Sequence, residues 1–129
     1  MLEAGIKGRQ ETVVTEEQLA VNVGSGKVRV FATPMMIALI EKTASLSVEP
    51  ELGEGQTTVG TLLNVSHCSA TPLGMKVWAE SELVEIDRRR LVFKVAAFDE
   101  AGLIGEGIHE RFIIDMEKFQ SKTDSKKAQ

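Results

Sequence analysis

The stretch PMMIALIEKTASLS, residues 34–47, constrains the fold more than any other part of this sequence. Thr33 followed by Pro34 reads as an N-cap and then a residue suited to the first helical position, where a missing N–H costs nothing. Stepped around a helical wheel, Met35, Met36, Ile37, Leu39, Ile40, Ala44 and Leu46 point in almost every direction and leave no polar face. A helix of that kind has to be covered on most sides. Pro50 and the turn of Gly53, Glu54 and Gly55 end it and return the chain.

The residues that follow can supply the cover. Over residues 57–69, alternation puts Val59, Thr61, Leu63, Val65 and His67 on one face, the apolar one. Thr58, Gly60, Leu62, Asn64, Ser66 and Cys68 share the other. Thr71 to Gly74 reads as a turn, residues 76–85 and 90–98 as strands joined at 86–89, and residues 103–116 as a last strand after a turn at 99–102. Upstream, residues 11–23 are expected to add a strand, with the Gly24, Ser25, Gly26 turn leading into 27–32. The first ten residues and the tail from Ser121 onward are polar and expected to fray. One long buried helix followed by a meander of strands is an α+β pattern, with an antiparallel sheet wrapped around one long central helix: the hot-dog architecture. Such a sheet leaves an open edge, which two copies remove by pairing, so a homodimer is expected.

Composition narrows the function classes. A length of 129 residues suits one domain, residues 1–129, with an ordered core over about 11–119 and a polar tail over 120–129. Hydrophobic residues at 43% and charged residues at 26% match a soluble globular chain, and the apolar run 35–40 is too short to cross a bilayer. No export signal opens the sequence, so the cytoplasm is the expected location. The lone Cys68 excludes an internal disulfide and a thiolate-rich zinc site. His109 and Glu110 fail the HExxH zinc pattern because Ile113 holds the fourth position, and Gly24, Ser25, Gly26, Lys27 lacks the outer residues of a P-loop. Neither a metal nor a cofactor is expected. A net charge of −4 argues against a nucleic-acid partner. Arg88, Arg89 and Arg90 form the one short basic run, which reads as a solvated turn, with a phosphorylated cofactor as its other use.

Three residues stand out chemically. Glu41 lies between Ile37, Ala44 and Val48 on the wheel, and a carboxylate buried there without a partner is costly, so it is either paired or a general base toward water. The bland alternative makes Glu41 and Lys42 the one solvated stretch of the helix. His67 stands on the apolar strand face, as a satisfied core histidine or as a proton carrier facing the helix carboxylate. Thr33 caps the helix, where free amides can also hold an oxyanion. Eight residues of ideal helix rise about 12 Å, so Thr33 and Glu41 meet only if the first turn is irregular or the site is completed across a dimer. His67 and Cys68, adjacent on a strand, face opposite sides and form no nucleophile pair. His109 and Arg111 share one face of the last strand, for surface contacts or for a dimer-interface or ligand role.

The segments VFATPMMIALIEKTA (30–44), GTLLNVSHCSATPLGMKV (60–77) and GEGIHERFIIDMEKF (105–119) resemble the fluoroacetyl-CoA thioesterase family of hot-dog enzymes. The resemblance implies hydrolysis of an acyl-CoA thioester to a carboxylic acid and free CoA, the CoA being part of the substrate. It also implies catalytic roles for Thr33, Glu41 and His67, with Gly60 lining the thioester site; Arg111 joins Gly60 as a substrate-binding candidate. The family's phenylalanine-bearing segment ahead of the helix is missing here, since residues 22–29 carry no aromatic, so selectivity for fluoroacetate is not expected. Competing readings are a hot-dog hydratase or dehydratase, which needs a His and Asp pair absent near these elements, and an acyl-CoA binding module without turnover.

Overall fold

A computed structural model gives the structure and describes residues 1–128. Along the chain run β1 (Lys7–Val13), the short helix α1 (Ala20–Val23), the long helix α2 (Thr33–Val48), β2 (Gln56–His67), β3 (Lys76–Asp87), β4 (Arg90–Asp99), β5 (Gly102–Asp115) and α3 (Met116–Asp124). The strands form one antiparallel five-stranded sheet in the order β1-β3-β4-β5-β2. Helix α2 packs across one face of it. This is the α+β hot-dog arrangement expected from the sequence.

The core forms where one stripe of α2 meets the sheet. Met36, Ile40, Ala44 and Val48 recur every fourth residue and are fully buried, against Val77, Leu83, Leu91, Phe93 and Ile104. Burying each large side chain contributes about 1.5–3 kcal/mol, which is what holds the helix down. At Gly8 of β1 an added Cβ would stand 2.7 Å from Ser47 Cβ and 2.8 Å from Thr43 O, so only glycine lets that strand approach the helix this closely.

Several expectations are corrected. Helix α2 is buried on one side only: Ala38, Lys42 and Leu46 on the far side are exposed, because one sheet can cover one face. Its N-cap is Ala32 rather than Thr33; the Ala32 carbonyl accepts from the amides of Met35 and Met36, and Thr33 is already helical. The N-terminal strand lies at Lys7–Val13, within and just after the residues expected to fray. It stops because Thr15 and Gln18 form a capping box, Gln18 Oε1 accepting from the Thr15 amide at 3.0 Å, and the chain turns into α1 rather than continuing as strand to Val23. Residues 27–32 make only isolated bridges, Leu19 with Phe31 and Val30 with Pro72. The chain after Asp115 forms α3, in which the good helix formers Glu117, Lys118, Gln120 and Lys122 outweigh the absence of burial.

The correction that matters most lies in β2. Its register against β5 shifts between Gly60 and Leu62, so Thr61 is a bulge residue and the alternation of faces reverses there. Leu63, Val65 and His67 face the helix as expected, but before the bulge Thr58 and Gly60 do so, in place of Val59 and Thr61.

Candidate active site

Two groups of polar side chains meet α2 on the sheet's inner face. The first is at its start. Since Ala32 serves as the cap, the Thr33 hydroxyl is free to turn sideways, and its Oγ1 lies 2.7 Å from Nδ1 of His67, the last residue of β2. The other ring nitrogen, Nε2, is buried without a partner. Burial pushes the His67 pKa below its usual value, partly offset by the Ser69 backbone, so the ring is neutral at pH 7. A cavity of about 290 Å³ flanks this pair, lined among others by Val28, Val30, Phe31 and Cys68.

The second group lies two turns further along α2. Glu41 points at β5, where Arg111 Nη1 stands 3.4 Å from its Oε2. The arginine side chain is 8% exposed and the glutamate 39%, so the cation is buried while the carboxylate keeps contact with water. Thr58 fixes the guanidinium, taking hydrogen bonds from Nε at its Oγ1 (2.8 Å) and from Nη2 at its carbonyl (3.0 Å). Glu41 is thus the charged partner that the buried Arg111 requires, while its own carboxylate is only half-buried.

Gly60 closes this group from the β2 side. A Cβ there would fall 2.5 Å from Glu41 Oε2, 3.3 Å from His109 Cε1 and 3.4 Å from Arg111 Nη1. Backbone alone fits, which brings a main-chain segment against the carboxylate. The bulge makes this possible, because unbroken alternation from His67 would turn Gly60 to the opposite face. His109, read from the sequence with Arg111 as a surface, dimer-interface or ligand residue, is fully buried beside Arg111.

The structure therefore joins Thr33 to His67, and Glu41 to Gly60 and Arg111, but leaves the two groups apart in one chain. The helix begins regularly at Thr33, so the roughly 12 Å rise to Glu41 stands and an irregular first turn is ruled out. Arg111 and His109 are not surface residues, being 6% and 0% exposed. The Arg88 to Arg90 run serves its hairpin: Arg90 binds both carboxylate oxygens of Glu110 and reaches Glu85, and Arg89 donates to the Ile113 carbonyl. Among the described residues no group of three His, Cys, Asp or Glu could hold a metal ion, and no helix is long and apolar enough to cross a membrane.

Comparison with known proteins assigns this architecture. The family described as FlK, fluoroacetyl-CoA-specific thioesterase, matches residues 14–117. The fluoroacetyl-CoA thioesterase of Streptantibioticus cattleyicolor is 40% identical over 97 residues, which is 75% of this chain and 70% of that protein. A solved structure of the fluoroacetyl-CoA thioesterase FlK superposes with a TM-score of 0.93 at 32% identity, covering 98% of each chain. A variant of that enzyme in complex with fluoroacetate and CoA superposes at 0.86, with 32% identity over 92% of this chain and 99% of the other. The chain belongs to the fluoroacetyl-CoA-specific thioesterase family.

Proposed function

We propose that the protein is an acyl-CoA thioesterase working as a homodimer, with Thr33, Glu41 and His67 as its catalytic residues and Gly60 and Arg111 binding the thioester. Family membership supports the reaction class, and the observation that carries the site is the lack of room at Gly60, where an added Cβ would stand 2.5 Å from Glu41 Oε2 and so places the main chain next to the carboxylate. A carboxylate and a main-chain amide beside one point are the parts needed to attack a carbonyl and to hold the oxygen that becomes negative.

In the proposed reaction Glu41 removes a proton from water, or attacks the carbonyl itself, and the Gly60 amide donates to the developing oxyanion. The acyl carbon gains an oxygen and its bond to sulfur breaks; where Glu41 attacks directly, water then hydrolyses the mixed anhydride, restoring the carboxylate and supplying the proton for the thiolate. With the Thr33 hydroxyl donating to Nδ1 of His67, the ring proton sits on Nε2 and hydrogen-bonds to the departing CoA sulfur, which then takes the proton that Glu41 removed from water. Arg111, anchored by Thr58, holds the direction of the carboxylate.

A dimer supplies what one chain lacks. Strand β2 is a sheet edge with exposed Leu62 and Leu63, and the uncovered side of α2 exposes Leu46. Two β2 edges paired antiparallel about Asn64 bring Gly60 of one copy beside His67 of the other, because the Thr61 bulge takes up the one residue by which their distances from that centre differ. Each thioester site then draws Thr33 and His67 from one protomer and Glu41, Gly60 and Arg111 from its mate. The test is thiol release by the purified protein across a panel of acyl-CoA thioesters. Turnover of at least one member is expected; binding of several with no thiol release would leave a binding module in place of an enzyme.

A further inference from the structure

We propose that His109 is a positioning residue of the thioesterase site, held as one neutral tautomer that aims Arg111 at Glu41 and ties the ring to the bulged segment of β2 beside Gly60. The inference rests on the proposed thioesterase reading for its kinetic part and on the structure alone for its tautomer.

The chemistry of the two partners decides the tautomer. His109 Nδ1 lies 2.8 Å from the Leu62 carbonyl, which can only accept, and Nε2 lies 3.2 Å from Arg111 Nη1, which can only donate. The ring therefore carries its proton on Nδ1 and offers the Nε2 lone pair to the guanidinium. An imidazolium would turn an N–H toward a cation and lose that bond. The charged groups around the ring are Arg111 beside it, Glu41 from α2 and, on the opposite face of its own strand, Glu110 held by Arg90; β4 presents the Phe93 ring, 6.3 Å away and inclined at 30°. Burial is the largest influence keeping the ring neutral, and Arg111 adds to it.

Nη1 of Arg111 is thereby divided between His109 and Glu41. Thr58 takes the opposite end of the guanidinium, leaving the plane no freedom to rotate away from the carboxylate. On the other side of the ring, Leu62 is the first paired residue after the bulge that turns Gly60 inward. One side chain thus connects the carboxylate's arginine to the strand segment that carries the amide.

The chain has two histidines, so ¹⁵N-histidine spectra of the intact protein, with His67→Ala for assignment, read the ring directly. The expected result at pH 7 is a proton on Nδ1 and none on Nε2 of His109; the opposite tautomer or an imidazolium would overturn the proposal. For His109→Leu, kcat is expected to fall about 10²-fold, the scale of a small misplacement of catalytic groups, whereas His109→Gln, which retains an acceptor, recovers most of it. A purely structural role would instead lower the unfolding midpoint and leave kcat per folded molecule unchanged in both variants, which refutes positioning. If His109→Leu does not fold, His109→Met, which fills the site without a ring acceptor, takes its place: a kcat loss of about 10²-fold supports the proposal and an unchanged kcat refutes it. If the wild-type protein releases no thiol from any acyl-CoA, the functional reading fails while the spectra still test the tautomer.

Discussion

The hydroxyl of Thr33 stands 2.7 Å from Nδ1 of His67, whereas Glu41, on the same helix, faces Arg111 and Gly60 two turns away. A proposed catalytic set split along one helix makes distinct demands on each of its members.

Replacing Glu41 by Gln or His67 by Ala is expected to lower kcat/KM for the best acyl-CoA substrate by roughly 10²-fold or more, the scale of acid-base groups. Thr33→Ala should cost less, since its hydroxyl orients the ring and is not the helix cap. Steady-state thiol release by variants with native circular dichroism checks this. Full activity in a folded Glu41→Gln would remove the carboxylate from the mechanism.

Gly60→Ala separates activity from stability. Its methyl would meet Glu41 Oε2, the far end of a partly exposed side chain that can swing into water, so the fold survives while the carboxylate moves. We expect an unfolding midpoint close to wild type and a loss of about 10²-fold in kcat. Retained kcat would mean that the carboxylate is not needed where the structure holds it.

Dimerisation and activity should fall together. Asn64 is exposed on the edge strand β2, at the centre of the proposed pairing. In Asn64→Lys two like charges would meet across that centre, which is destabilising in cross-strand pairs. Light scattering at micromolar concentration should show a shift toward monomer, with specific activity dropping in proportion; a fully active monomer would contradict a shared site.

The acid side of the stability profile belongs first to the histidines. Burial holds His67 and His109 below the usual histidine value of 6.5. As pH falls below that value the unfolded chain binds protons that the folded chain refuses, so their contribution is complete above pH 6.5 and is lost as pH falls toward the folded pKa. Thermal unfolding should give a Tm that is steady from about pH 7 to 8 and declines from about 6.5 downward, with a shallower decline in His67→Ala. A Tm that rises on acidification through this window would show the opposite sign of coupling.

Selectivity between small acyl groups should be modest. The residues ahead of α2 form α1 and a loop whose Ser25, Gly26, Val28 and Val30 line the cavity at Thr33 and His67, and its one aromatic, Phe31, is buried and not free to close over an acyl group. A hydrophobic pocket separates close analogues by about 10 to 200-fold. Specificity constants for acetyl-CoA and fluoroacetyl-CoA are expected to agree within roughly 100-fold, with a larger acyl-CoA preferred to both; a fluoroacetyl preference above about 10⁴ would require a discriminating element elsewhere.

Local sequence determined the long helix and the four later strands, but not β1, α1 or α3. The run from Pro34 to Ser47 is apolar at helical spacing, and the later segments alternate between turn residues, so α2 and β2 to β5 were legible from periodicity alone. The inward aim of His67 was legible too, as was the need of Glu41 for a partner. What the tertiary structure decided were relationships that depend on register and packing. The Thr61 bulge reverses the faces of β2 and turns Gly60 toward Glu41, and one extra residue in a ladder leaves no signature in a pattern of alternation. The helix starts one residue earlier than its sequence suggests, with Ala32 as the cap, and this leaves the Thr33 hydroxyl to a ring 34 positions away. Arg111 and His109 look like surface residues in an alternating strand; they are buried because Thr58, Glu41 and the Leu62 carbonyl, from two other elements, satisfy their hydrogen bonds. Periodicity reports which side of an element is apolar, but the partner of a buried polar group comes from distant chain, and only the assembled sheet and helix specify it.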